Sequence, residues 1–421
     1  MKFHIFTTGC KANQWDSYVL SGLLKERGLA STSVADADLI VVNGCTVTKR
    51  AETDIRRFVR RAKEANPRAR VVLVGCHAQV YPERPFGADL VLGQKEKFEM
   101  ERYFGMAAAE RETTRDFPLE PCFLTGMPED RTRFFLKVQD GCDRFCSYCI
   151  VPYARGKVRS RSVPEVVAAM ERLTAFDVKE VVLTGIDLGS YRDPQTGADL
   201  KGLLGALETA DTPARIRLSS VDPTCIDESF VNDTLLTSRK LMKSIHMPLQ
   251  SGSDRILAAM NRRYTADTIR GIVASLRRQV PDIGIGMDVM VGFPGEDEAA
   301  FQETRALIDA LDLYYLHVFP YSDREGTRAS RMPGKIPRSV KMERVREMKA
   351  LDARKRASFA ERFIGRTLTV LLEGKLYKGR YMRGYTESYV PVYVPYDKEL
   401  ENNLIDVTIK GVQQNVLMGE C

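Results

Sequence analysis

The chain has 421 residues, enough for two or three domains with cores of their own. A hydrophobic content of 44%, a charged content of 28% and a net charge of +7 describe a soluble, globular, mildly basic protein, open to an anionic partner without demanding one. No apolar run approaches the roughly 20 residues of a membrane span, and the start MKFHIFTTGC lacks the basic leader and long apolar segment of a secretory signal, so a cytoplasmic protein is expected.

Three stretches near the start share one pattern. KFHIFTTGC, ADLIVVNGC and ARVVLVGC each run an apolar, β-branched segment into Gly-Cys. Nearly continuous apolar runs read as buried strands of a parallel sheet. Helical patterns lie between them, from Ser17 to Arg27 before Gly28 and from Thr48 to Ala65 before Pro67. This alternation predicts an open parallel α/β sheet, assigned to residues 1–125. Cys10, Cys45 and Cys76 then fall at the carboxyl ends of strands, where such sheets bind ligands. Gly9, Gly44 and Gly75 let the backbone turn sharply there. A single such cysteine reads as a small buried residue. Three in one local position point to a shared ligand, and three thiolates suit an iron–sulfur cluster with one open iron. Nine cysteines without an export signal suggest a reducing compartment, where clustered thiols bind metal more often than they form disulfides. Cys122, Cys225 and Cys421 fit no pattern.

The stretch GCDRFCSYCIVPYARG (141–156) brings three more cysteines, Cys142, Cys146 and Cys149, spaced C-x3-C-x2-C. A closed zinc site needs four ligands, and His4, His77, His246 and His317 are all distant in sequence. Zinc with a remote fourth ligand, or a redox pair with a spare thiol, are the other readings of these thiols. The spacing, with Tyr148 before the last cysteine, resembles the signature of the radical S-adenosylmethionine enzymes. The resemblance implies that the open iron of a [4Fe-4S] cluster binds S-adenosylmethionine, which one electron cleaves to methionine and a 5′-deoxyadenosyl radical.

From about residue 133 to 360 the passages KEVVLTGIDLG, ARIRLSS, SIHMPLQSG, IGIGMDVMVGFPGE and YYLHVFPYS alternate with helical patterns. Repeated βα units make a barrel or part of one, active at the carboxyl ends of its strands. The resemblance places Tyr148, Thr184, Gly185, Ser219, Ser220, Gln250, Arg263 and Asp288 around S-adenosylmethionine. Turn chemistry or a structural hydrogen bond is the plainer role for each of them. Arg155, Lys157, Arg159 and Arg161 follow the cysteine loop at every second residue. On an extended strand they would share one face, as a solvated edge or a set of phosphate contacts.

Residues 338–363 read as one long helix connecting two domains, with one basic face. From Ile364 short β runs begin, and GYTESYVPVYV (384–394) resembles the core of TRAM domains, small β-barrels that bind RNA. In residues 364–421, Lys375, Lys378, Arg380 and Arg383 interleave with Tyr377, Tyr381, Tyr385 and Tyr389. Such tyrosines serve either as core and cross-strand pairs or as platforms for bases.

Two open three-cysteine sets in one chain resemble the methylthiotransferase family. The likeness is carried by GCKANQWDS (9–17), NGCTVT (43–48), VGCHAQ (75–80), VQDGCDRFCSYCIVPYARGKVRSR (138–161), HMPLQSGSDRIL (246–257), MNRRYT (260–265) and VGFPGE (291–296). It implies an auxiliary-cluster domain, a radical domain and a TRAM domain. It also implies two [4Fe-4S] clusters, one on Cys10, Cys45 and Cys76 and one on Cys142, Cys146 and Cys149. The family replaces an unactivated C–H with C–S–CH3. Lys11 and the run at 138–161 look most like the branch acting on N6-threonylcarbamoyladenosine at position 37 of tRNA. The implied partners are the anticodon stem-loop and a flavodoxin-like electron donor. Lys11, Arg155, Lys157, Arg159, Arg161, Lys378, Arg380 and Arg383 are the expected RNA contacts. The other branches act on N6-isopentenyladenosine in tRNA and on an aspartate of a ribosomal protein.

Overall fold

A computed structural model of the chain describes residues 1–103, 117, 119–122, 124, 132–377 and 379–421. Strands β1 (Lys2–Thr7), β2 (Ala30–Ser31), β3 (Leu39–Asn43), β4 (Arg70–Val74) and β5 (Leu90–Val91) form a parallel sheet in the order β2-β1-β3-β4-β5. Helices α1 (Lys11–Glu26), α2 (Lys49–Ala65) and α3 (Cys76–Val80) connect them. The central strands bury both faces. Leu39, Val41, Val72 and Val74 join Leu20 and Leu24 of α1 in one core. Ile40, Val42, Val71 and Leu73 join Ile55, Val59 and Ala62 of α2 in the other. Thr48 caps α2 by accepting from the Ala51 amide at 3.2 Å. Helix α1 begins at Lys11, six residues before the expected Ser17. Its first turn is held from outside, by Trp15 packed edge-on against Phe134 of the next domain.

The central domain opens with β6 (Arg133–Lys137) and the short antiparallel pair β7 (Gln139–Asp140) and β8 (Arg159–Ser160), with α4 (Val151–Arg155) between them. It continues through α5 (Val163–Ala175), β9 (Glu180–Thr184), α6 (Leu200–Thr209), β10 (Arg215–Leu218), β11 (Ser244–Gln250), α7 (Asp254–Ala259), α8 (Ala266–Gln279), β12 (Gly284–Val291), α9 (Glu298–Ala310) and β13 (Tyr315–Pro320). Two parallel sheets, β10-β9-β6 and β11-β12-β13, are joined by a bridge from Ile216 to Leu241. The result is a six-stranded partial barrel. Along every strand alternate residues face outward into one apolar core, such as Phe134 and Leu136 of β6 or Ile285, Met287 and Val289 of β12. The other set faces the lumen and is mostly polar, with Arg133, Lys137, Glu180, Arg217, Ser219, His246, Gln250, Asp288, Tyr315 and His317 beside the apolar Phe135, Val182 and Phe319. A closed barrel of this type fills its interior with apolar layers; this one leaves an interior suited to a polar ligand.

Helix α10 (Arg338–Glu361) serves two cores. Val345, Met348 and Leu351 pack on the partial barrel, while Phe359 and Ala360 enter the core of the last domain. That domain is a closed barrel of β14 (Thr367–Tyr377), β15 (Tyr381–Tyr385), β16 (Pro391–Pro395), β17 (Leu404–Gln413) and β18 (Val416–Glu420), in the order β14-β15-β16-β18-β17. Its β15–β16 turn plugs the partial barrel at the amino ends of the strands. Arg215 donates to the carbonyls of Tyr385 (3.0 Å) and Thr369 (2.6 Å), and Arg217 to those of Thr386 (2.6 Å) and Glu387 (2.9 Å). Arg133 donates to Tyr389 Oη at 3.0 Å and pairs with Glu373 at 2.7 Å. Tyr385 and Tyr389 are therefore interface residues, which leaves neither as a platform for a base. Removing residues 364–421 would strand three partly or fully buried arginines. A chain ending at Phe363 is expected to melt about 10 °C lower or to be insoluble; an unchanged melting midpoint would show that the plug does not stabilise the barrel.

Candidate active site

Cys10, Cys45 and Cys76 stand where three parallel strands end. Gly9, at φ +104°, carries the chain so close to its neighbour that a Cβ there would lie 2.5 Å from Cys45 Cβ. Gly75, at φ +88°, passes Asn43 Oδ1 at 2.3 Å from an added Cβ. Glycine alone tolerates both the left-handed backbone and the contact. Burial, with Cys76 and Cys10 close by, pushes the Cys45 thiol up to about 12. In the central loop burial and Cys146 push Cys149 up to about 12, and burial with Asp187 and Cys146 pushes Cys142 up to about 11. A cationic guest would favour the thiolate forms of Cys45, Cys142 and Cys149.

Two observations test what that guest is. Sulfurs around one tetrahedral zinc lie about 3.8 Å apart. Among the described residues the three sulfurs of neither trio lie all within 4.8 Å of one another. Neither trio is drawn in around a single tetrahedral ion. The sulfurs are also hydrogen-bond acceptors, as cluster thiolates are. Cys45 accepts from the Val47 amide at 3.5 Å, and Cys142 and Cys149 accept from the amides of Arg144 and Val151, the same two-residue offset each time. Cys76 accepts from Gln94 Nε2 and Arg155 Nε, both at 3.2 Å. Cys146 accepts from Arg262 Nη1 at 3.2 Å.

Arg155 ties the two loops together. It lies in α4, just after Cys149, yet touches Cys76 of the first domain. It also pairs with Asp16 (2.8 Å) and Asp140 (3.0 Å). Lys137 Nζ sits among Asp16 (2.6 Å), Glu120 (2.8 Å) and Asp140 (2.8 Å), Lys97 pairs with Asp16 at 2.7 Å, and Arg161 pairs with Glu120 at 2.8 Å. All seven side chains are 6% exposed or less. Lys137 fills the point where three carboxylates might otherwise suggest a metal. Burial alone would raise the Asp16 carboxyl, but Arg155, Lys137 and Lys97 hold it well below the usual carboxylate range. With Arg159, 3.7 Å from Asp140, the network sets five cations against three anions, and Arg155 faces the sulfur of Cys76.

This network corrects the expected row of four cations on one strand face. Arg155 ends a helix and Arg161 is 2% exposed in ion pairs, so neither is presented to a phosphate. Arg159 lies on β8, half-buried, with its guanidinium over Phe117 at 4.4 Å. Lys157 alone of the four is exposed.

The residues expected around the cofactor divide. Ser219 and Gln250 reach the carboxyl end of the lumen, and their Oγ and Oε1 are buried with no hydrogen-bond partner among the described residues. Gln250 sits at a bulge with φ +65°, a strained backbone of the sort found at ligand sites. These orphaned polar atoms fit a bound S-adenosylmethionine. Thr184 ends β9, buried, and Gly185 follows so close to Gln139 that a Cβ would meet its Oε1 at 2.6 Å. Tyr148 stacks edge-on against Phe293. Ser220 and Arg263 are exposed. The neighbouring Arg262, not singled out from the sequence, holds Cys146 and pairs with Asp222 at 2.6 Å. Asp288 lies deeper in the lumen between two histidines.

Lys11, beside Cys10, points to the lumen over the Phe135 ring at 5.8 Å, near Arg133, Arg217 and Glu180. It has no ion-pair partner among the described residues, and burial with Arg133 and Arg217 lowers its pKa to about 8. On the last barrel Arg380 is exposed above Tyr381, and Arg383 pairs with Glu373 at 3.0 Å. Lys378 lies outside the described residues. No described helix is long and apolar enough to cross a membrane.

Residues 2–93 match the uncharacterized protein family UPF0004, and residues 136–308 match the radical SAM superfamily. The chain is 37% identical to the threonylcarbamoyladenosine tRNA methylthiotransferase MtaB of Aquifex aeolicus, over 93% of this chain and 98% of that protein. It is 33% identical to the enzyme of the same name from Bacillus subtilis, over 97% and 93%. It is 32% identical to the tRNA-2-methylthio-N(6)-dimethylallyladenosine synthase of Moorella thermoacetica, over 99% and 98%. Among solved structures it shares the fold of the radical S-adenosylmethionine methyltransferase TsrM of Kitasatospora setae, with a TM-score of 0.55, 18% identity and coverage of 76% and 74%.

Proposed function

Because the chain belongs to the radical S-adenosylmethionine methylthiotransferases, enzymes that use two [4Fe-4S] clusters, we propose that it adds a methylthio group to C2 of N6-threonylcarbamoyladenosine at position 37 of tRNA. Cys142, Cys146 and Cys149 hold one cluster and Cys10, Cys45 and Cys76 the other. When bound, the clusters and S-adenosylmethionine supply the sulfur, the methyl group and the one-electron chemistry that an unactivated C–H requires. The protein's part is to position and to exclude water. Ser219 and Gln250 offer their free polar atoms to the cofactor. Arg262 and Arg155 each hold one cluster sulfur, and the buried ion network keeps the two sites in register.

The observation that carries the substrate is Lys11, an unpaired cation beside Cys10 in a lumen rich in hydrogen-bonding groups. The threonylcarbamoyl arm brings a carboxylate that a cation stabilises; the isopentenyl arm brings none. The RNA partner is the anticodon stem-loop, and Lys157 and Arg380 are the exposed members of its expected contacts. A flavodoxin-like protein supplies electrons, and the work is done in the cytoplasm, where such tRNA is found.

The test is nucleoside mass spectrometry after an anaerobic reaction of reconstituted protein, reductant and S-adenosylmethionine with tRNA bearing either modified base. A methylthio adduct on the threonylcarbamoyl base alone is the expected result. An adduct on the isopentenyl base alone overturns the substrate, and none on either, despite release of 5′-deoxyadenosine, turns the search to a ribosomal aspartate.

A further inference from the structure

Three neighbouring strands place His246, Asp288 and His317 side by side in the lumen. The parallel register puts Asp288 of β12 beside Pro248 of β11 and His317 of β13. Asp288 Oδ1 accepts from His317 Nδ1 at 2.8 Å and lies 3.2 Å from His246 Nε2. His246 Nδ1 is 2.8 Å from Tyr315 Oη. One proton arrangement satisfies all three contacts: Tyr315 donates to His246 Nδ1, His246 Nε2 donates to Asp288, and His317 Nδ1 donates to the same carboxylate oxygen. Burial opposes the Asp288 charge, yet the two histidines hold it well below the usual carboxylate range. The relay therefore ends in two open positions, Asp288 Oδ2 and His317 Nε2, neither with a partner among the described residues.

His246 and Tyr315 are packed into this wall, but the His317 side chain is 68% exposed. It can be, because β13 is the edge strand and, among the described residues, no further strand pairs beyond it. A histidine that merely filled a core would be buried. This one is oriented by a carboxylate, supported by Phe319 at 5.4 Å, and presents its second nitrogen to open lumen. With Nδ1–H given to Asp288, whose hydrogen bond also raises the His317 pKa, the imidazolium offers Nε2–H as a donor beside Asp288 Oδ2 as an acceptor, a donor–acceptor pair. It suits a small group that carries an anionic or carbonyl oxygen together with a hydroxyl or N–H.

We propose that His317, positioned by Asp288 and His246, receives the polar arm on N6 of the substrate adenine, and that this contact selects a threonylcarbamoyl arm over an isopentenyl one. The proposal rests on the substrate assigned above. The threonylcarbamoyl arm carries a carboxylate, a urea and a hydroxyl; the isopentenyl arm would leave His317 Nε2 and Asp288 Oδ2 desolvated and unpaired. A site built to bond a polar group rejects the analogue that lacks it by about 10⁴-fold or more, whereas an apolar pocket discriminates far less. Lys11, on the β6 side of the same lumen, supplies the second cation.

The experiment compares wild type, His317→Phe and His317→Gln on two RNAs, one bearing N6-threonylcarbamoyladenosine and one bearing N6-isopentenyladenosine. Phenylalanine keeps the ring and removes both nitrogens; glutamine keeps a donor at a similar reach. For His317→Phe the KM of the threonylcarbamoyl RNA is expected to rise about 10- to 100-fold, the size of one lost hydrogen bond to a charged group. The ratio of kcat/KM between the two RNAs should shift toward the isopentenyl base by at least as much, and His317→Gln should recover to within about fivefold of wild type. An unchanged ratio in His317→Phe, with wild type active on the threonylcarbamoyl RNA, overturns the role of His317. Equal losses on both RNAs overturn it too. Wild type inactive on the threonylcarbamoyl RNA overturns the substrate itself, a different result from either.

Discussion

Cys10→Ala is expected to abolish the methylthio product while leaving reductive cleavage of S-adenosylmethionine in place. Cys10 belongs to the first trio and Cys142, Cys146 and Cys149 to the second, and the two sets rest on separate loops and separate strands. A variant that loses one cluster should hold about four irons per chain where the wild type holds about eight. Its 5′-deoxyadenosine yield should stay within about threefold of wild type, while methylthiolated nucleoside falls by at least about a thousandfold, as for loss of an essential reacting group. The comparison is Cys142→Ala, which should lose both activities. Loss of cleavage in Cys10→Ala, at about four irons and with an unchanged melting midpoint, would mean that the two cysteine sets do not act separately. Cys10 is the sound choice among its trio because it is exposed, whereas Cys76 also anchors Arg155 and Gln94.

The second large effect is structural. Asp16→Asn is expected to destabilise the protein by about 3–5 kcal/mol, the usual result of removing one partner from a buried ion pair. Asp16 is 0% exposed and faces Lys97, Lys137 and Arg155 together. Its loss leaves three cations, Lys97, Lys137 and Arg155, short of an anion in a buried region. Such a network need not be more stabilising than an apolar core of the same volume. Its distinct contribution is registration, since Asp16 belongs to the first domain and Lys137 and Arg155 to the second. A Lys97→Met change on the Asp16→Asn background should recover part of the loss, because it removes a cation that the first change orphaned. Chemical denaturation of the two single variants and the double variant measures this. A loss below about 1 kcal/mol, or no recovery in the double variant, would show the charges to be independently solvated.

Cys142, Cys146 and Cys149 were legible because their spacing is local: three ligands within one turn of chain need no tertiary knowledge. The strand-to-Gly-Cys pattern was legible for the same reason, since continuous apolar runs and a following glycine declare a buried parallel strand and a tight turn. The alternation at 155–161 misled, because a period of two indicates a strand face only when the segment is a strand. Here Arg155 closes a helix, and a glycine turn separates it from Arg159. Arg262 and Arg263 show the limit of motif reading. The two are adjacent and chemically equal, and only the docking of the β11–α8 region against the loop decides which one meets Cys146. Nothing local marks Gln94 as a sulfur donor, and nothing local marks the β15–β16 turn as a plug.

By itself the sequence marked out two trios of cysteines at recurring local positions, a parallel α/β sheet, further βα units and a final run of short strands. Each of these rests on spacing or periodicity within about twenty residues, where covalent connectivity limits the outcome. Only the tertiary structure decided which charges are buried against which. It put Arg155 on Cys76 rather than on RNA, assigned Tyr389 to an interface rather than a base, and left His317 open at a barrel edge. Those outcomes depend on partners separated by tens to hundreds of residues, and the fate of a charged side chain is set by the desolvation and pairing it meets there.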